Sequence, residues 1–107
     1  MKISVILGTK EPEKAWNAFR FGLTALKANH EAKVFLINEG VEIEDIQDGK
    51  YNVKEQVNSF IENSGQILSC GTCLKSRQKE GSRTCSVSTM KDLLKLVEDS
   101  DRILAFG

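Results

Sequence analysis

The sequence predicts an α/β protein of three layers, α/β/α, around a mostly parallel five-stranded sheet. Three observations carry this. Short apolar runs punctuate the chain: KISVIL, KVFLIN, QILSC, TCSVS and RILAF. Between successive runs lie segments whose apolar residues recur every three or four positions, the period of a helix with one buried face. The connections are short, and a strand–helix–strand crossover joins parallel strands with a right-handed turn.

Each element has its own warrant. Ile3 to Leu7 is rich in β-branched residues and ends at Gly8, as a buried strand does. Pro12 suits the first turn of a helix, where its missing N–H leaves nothing unpaired. From Glu13 onward Trp16, Phe19, Leu23 and Leu26 form an apolar stripe, and Asn29 and His30 mark its end. Lys33 to Ile37 reads as the second strand. The acidic, glycine-punctuated stretch that follows, Glu39 to Asp48, reads as a solvated loop with room for one helical turn, placed to cover a site at the strand ends. Asn52 with Glu55 forms a capping-box pattern before a helix carrying Val53, Val57, Phe60 and Ile61, with Gly65 as its cap. Gln66 to Cys70 is the third strand, and residues 72–81 a short helix closed by Gly81. Residues 84–88 form a weak fourth strand. Thr89 and Asp92 start a last helix bearing Met90, Leu93, Leu94 and Val97, before the final strand at 102–106.

Composition narrows the function. The chain has 107 residues, which suits one domain over residues 1–107 with a single core. Formal net charge is zero, so no global field draws it to nucleic acid or an anionic membrane. MKISVILGTK lacks the apolar length of a signal peptide, and no run approaches the ~20 apolar residues of a membrane span. The expected compartment is the cytoplasm. Three cysteines are an odd number for a disulfide framework, so the thiols are expected to be free, metal-bound or redox-active.

The chemistry concentrates in ILSCGTCLKSR, residues 67–77. Ligands of open α/β sheets bind beyond the carboxyl ends of the strands, where Cys70 falls. Cys73 lies in the first turn of the next helix. Gly71 permits a tight turn there and Thr72 can cap the helix. Both sulfurs thus fall near a helix N-terminus, where partial positive charge favours thiolate. Lys75, Arg77, Lys79 and Arg83 face a single acid, Glu80, a local excess of three positive charges. Thiolate is the nucleophilic form, so the stretch reads as a reactive-cysteine site. Against this stands the plainer reading of small, buried core cysteines.

Other sites fare worse. One Cys-x-x-Cys with distant Cys85 and a single His30 falls short of the four ligands of a structural zinc site, so no metal and no cofactor is expected. GTKEPEK has no phosphate-loop spacing, and no Gly-x-Gly-x-x-Gly occurs.

Three stretches carry a family resemblance. WNAFRFGLTALKANHEAKVFLINEGV, SCGTCLKSRQKEG and STMKDLLKLVEDSDRILAFG together resemble the DsrE/DsrF-like sulfur-relay family over nearly the whole chain. The resemblance implies the three-layer α/β/α fold and a homotrimer or homohexamer. It implies a cysteine after the third strand that takes persulfide sulfur from a donor protein and passes it to an acceptor. By position that cysteine is Cys70, and Arg77 matches a typical downstream arginine. Cys73 adds a second thiol, able to carry sulfur or to resolve a persulfide into a disulfide. The expected function is therefore a sulfurtransferase-like persulfide carrier, with Cys70 and Cys73 as catalytic thiols and Gly71, Thr72, Lys75 and Arg77 as anion-stabilising neighbours. Two alternatives stand beside it: a thiol–disulfide or peroxide-linked protein using the same pair, and a non-catalytic oligomeric binding module.

Overall fold

A computed structural model describes residues 1–107. The elements run β1 (Lys2–Leu7), α1 (Pro12–Lys27), β2 (Glu31–Leu36), a 3₁₀ segment η1 (Asn38–Asp45), α2 (Val53–Glu62), β3 (Gln66–Cys70), α3 (Gly71–Ser76), β4 (Cys85–Ser88), α4 (Met90–Asp99) and β5 (Arg102–Phe106). The five strands form one sheet in the order β4-β3-β2-β1-β5, and every pairing is parallel. The expected α/β/α sheet is thus wholly rather than mostly parallel. Successive crossovers from β1 to β4 advance in one direction, and the last returns to the far side of β1. Right-handedness then puts α1 and α2 on one face and α4 on the other. Ser4 confirms the second face: buried in β1, it meets Ser100, at the end of α4, oxygen to oxygen at 2.6 Å.

The core lies mainly under α1 and α2. Phe19, Phe35 and Phe60 are fully buried, and Phe19 meets Phe60 edge to face with centroids 5.6 Å apart. Gly22 and Gly65 leave space for the Phe60 ring, since a Cβ on either would fall 2.8 or 2.5 Å from it. Trp16 stays partly buried, with Arg20 4.2 Å above its ring and Tyr51 beside it.

Helix ends differ from expectation. α1, α2 and α3 all close with the same pair of hydrogen bonds, a Schellman motif. Its left-handed residues are Asn29 (φ 68), Ser64 (φ 74) and Gln78 (φ 54), none of them glycine. After α2, Ser64 N–H reaches Ile61 and Gly65 N–H reaches Phe60. Gly65 therefore does not supply the left-handed turn; its missing side chain serves Phe60. Gly81 likewise does not close α3, which ends at Ser76 with Arg77 as its cap. His30 sits after α1 and bonds the Met1 amine at 2.9 Å. Glu11, unforeseen as a cap, starts α1 by accepting the N–H groups of Glu13 and Lys14 at 3.2 and 2.9 Å.

Candidate functional site

The site lies beyond the carboxyl ends of β2 and β3, where the chain turns directly from strand into helix. Cys70 ends β3 and is also the N-cap of α3, with extended backbone (φ −61, ψ 116). Its sulfur takes the role usually played by a Ser or Asp oxygen, accepting the Cys73 N–H at 3.4 Å. Thr72, the expected cap, is inside the helix and exposed, and its carbonyl accepts the Ser76 hydroxyl at 3.0 Å. β4 crowds Gly71: an added Cβ would sit 3.2 Å from both the Ser88 carbonyl and the Val87 side chain, closer than ordinary contact.

Cys70 is 3% exposed, while Cys73 is only partly buried. The Cys73 sulfur accepts the backbone N–H of Asn38 at 3.3 Å, which joins it to η1. Asn38 has φ +54, and two residues later Gly40 passes so close to β1 that any side chain would strike the Leu7 carbonyl. The Cys73 thiol is pushed above its ordinary range, chiefly by burial and then by its hydrogen bond to Cys70. The Asn38 N–H and, less strongly, Arg77 pull the other way.

Charge is arranged differently from the expectation of free cations around a thiolate. The acidic η1 docks against the basic segment after Cys73. Arg77 Nε donates to Glu42 Oε2 at 2.9 Å, and its Nη1 donates to the Cys73 carbonyl at 3.2 Å. Lys79 pairs with Asp45, Lys10 lies 3.7 Å from Glu42, and the Ser82 hydroxyl donates to Glu44 at 2.9 Å. Arg77 therefore holds the loop and acts on Cys73 mainly through its backbone. Lys75 is exposed and lines a shallow groove with Gly71, Leu74, Gly81 and Val87. α3 has only six residues, so the donors that meet the two sulfurs are the individual N–H groups of Cys73 and Asn38 rather than a long helix dipole.

The expected solvated loop is thus an ordered 3₁₀ cover. Its place over the strand ends was expected; its order was not, although the match between acids at 39–48 and bases at 75–83 was visible in the sequence. Asn38 left no signal, because its backbone does the work. Cys85 is separate from the pair: it begins β4, is 3% exposed, and burial, with the charge of Glu44 adding, pushes its thiol up to about 12. No three His, Cys, Asp or Glu side chains are grouped to hold a metal ion. No helix is long and apolar enough to cross a membrane.

Known proteins share this architecture. The ychN protein of E. coli, known from its crystal structure, superposes with a TM-score of 0.82 at 19% identity, covering 99% of this chain and 100% of that one. A conserved protein of unknown function from Bacteroides thetaiotaomicron gives 0.77 at 13% identity, over 98% and 94% of the two chains. Uncharacterised archaeal proteins are nearer in sequence. One from Methanopyrus kandleri is 34% identical over 88% of this chain and 83% of its own. One from Methanocaldococcus jannaschii is 32% identical over 99% and 100%. The model of the DsrE/DsrF-like family matches residues 1–106, so the chain belongs to that family.

Proposed function

We propose that the protein is a sulfur-relay component that carries persulfide sulfur on the Cys70–Cys73 pair. The observation that carries this is the placement of the two thiols on one turn at the end of β3. Cys73 donates its backbone N–H to the Cys70 sulfur at 3.4 Å. A thiolate of the pair attacks the outer sulfur of a donor's persulfide. A new S–S bond forms on that cysteine, the donor's S–S bond breaks, and the donor leaves as thiolate. Family membership supports the same chemistry, since relay proteins of this family use a cysteine after the third strand. Gly71 shapes the turn, Arg77 holds the cover over Cys73, and Lys75 and Thr72 line the approach from solvent. We assign the protein to the cytoplasm, with relay donor and acceptor proteins as its partners.

The test is intact-protein mass spectrometry after incubation with a cysteine desulfurase carrying persulfide. One added sulfur, removed by reductant and absent from a Cys70→Ser/Cys73→Ser double variant, is expected. Loss of two hydrogens without added sulfur would instead assign the pair to thiol–disulfide chemistry, which the contact between the two side chains also fits.

The working form is an assembly of copies, a trimer or hexamer. Support comes from α4 and β5. Met90 and Leu94 are 61% and 60% exposed on α4, and the open edge strand β5 adds Ile103 and Leu104.

A further inference from the structure

The two sulfurs of the pair differ in access. Cys70 is enclosed: it ends a strand flanked by β2 and β4, pairs in register with Ser88, and is 3% exposed. Cys73 stands one helical turn outward, partly open, and its sulfur meets the N–H of the exposed residue Asn38. A persulfide held by another protein arrives with a folded chain behind it and touches only sulfur at the surface. A small inorganic polysulfide has no such restriction.

We infer that sulfur enters and leaves through Cys73, with Cys70 as the interior thiol that holds it and the Asn38 backbone N–H as the group that positions the Cys73 sulfur. This deepens the sulfur-relay reading and rests on it. In the first step the Cys73 thiolate attacks the outer sulfur of the donor persulfide. The donor's S–S bond breaks, a Cys73 S–S bond forms, and the donor departs as thiolate. In the second step Cys70 attacks that same outer sulfur. The Cys73 S–S bond breaks, the Cys70 S–S bond forms, and the proton released by Cys70 passes to Cys73. Sulfur moves between two thiols of one chain, so no oxidant or reductant is consumed. Asn38 N–H already points at the sulfur that departs in the second step, where a donor stabilises developing negative charge. Its placement is built in three ways: the left-handed turn at Asn38, the close passage of Gly40 over Leu7, and the Glu42–Arg77 pair.

The experiment compares two sulfur sources on wild type, Cys73→Ala and Cys70→Ala: a persulfide-charged cysteine desulfurase and inorganic tetrasulfide. Added sulfur is counted by intact mass and located by peptide mass spectrometry, and circular dichroism confirms folding. Wild type is expected to load from both sources. Cys73→Ala is expected to load Cys70 from tetrasulfide, but roughly tenfold or more slowly than wild type from the protein donor. Cys70→Ala is expected to load at Cys73 from both. Loading of Cys73→Ala by the protein donor at the wild-type rate overturns the entry role and leaves the carrier reading standing. A folded Cys73→Ala that loads from neither source overturns the division of labour by making Cys73 the sole acceptor. Wild type that loads from neither source removes the carrier reading, and this inference with it.

Discussion

Arg77 and Glu42 are joined side chain to side chain at 2.9 Å across 35 positions of sequence, each only partly exposed (29% and 21%). Through this pair α3 holds η1 in place over the cysteine site. Glu42→Gln keeps the size of the side chain and removes its charge. Lost pairing of this kind costs about 0.5–1 kcal/mol, so iodoacetamide should label Cys73 roughly two- to fivefold faster in the variant. Salt at 1 M should bring wild type part of the way to the same rate, because ions screen the pair. An unchanged labelling rate would show that η1 is held by its backbone alone.

Cys85 should make the stability of the protein fall in alkali. Cys85 is raised from 9.0 to about 12 by burial, so the folded state keeps its proton after the unfolded state has lost it. Its contribution is fully present below pH 9 and is lost as pH rises from 9 toward 12, by roughly 1 kcal/mol per pH unit. Urea unfolding of Cys85→Ala across pH 8–11 should show a smaller decline than wild type. Equal slopes would mean that Cys85 is not the group responsible.

Ser64 occupies a left-handed conformation (φ 74) that costs an L-residue energy and costs glycine little. Ser64→Gly should therefore stabilise the protein by ~0.5–1 kcal/mol, seen as a rise of several degrees in Tm by calorimetry. No polar partner is lost with the hydroxyl, since the Schellman bonds there run through the backbone N–H groups.

Leu94 is 60% exposed on α4 while Leu96 of the same helix is buried against the sheet. Leu94→Asp should shift the mass measured by light scattering toward the monomer and leave the circular dichroism spectrum unchanged. Leu96→Asp, by contrast, should unfold the protein, because it buries an unpaired charge.

Much of the fold was legible because apolar periodicity reports burial, and burial orders these elements. KISVIL and QILSC form strands where their short apolar runs placed them, and the Thr89–Asp92 box starts α4 with both of its hydrogen bonds. What was not legible depends on backbone geometry that side chains do not announce. Ser64 and Gln78 turn left-handed where glycine was the natural choice. Acidity marked 39–48 as solvated, yet charge matching folded it onto α3. Sequence placed Cys70 and Cys73 together at the site but could not rank them by depth, because that ranking arises from a single turn of helix.

β1 pairs with β5 through residues at opposite ends of the chain: Ile3 lies beside Arg102, and the Lys2 N–H bonds the Asp101 carboxylate across 99 positions. β1 through β4, by contrast, pair in the order in which they leave the ribosome. The thiol-bearing end can therefore assemble while β1 still has an unsatisfied border, which β5 closes last. Pairings of such long range are the slowest to form. The final folding rate should therefore depend on β5 far more than on the segment that carries the chemistry.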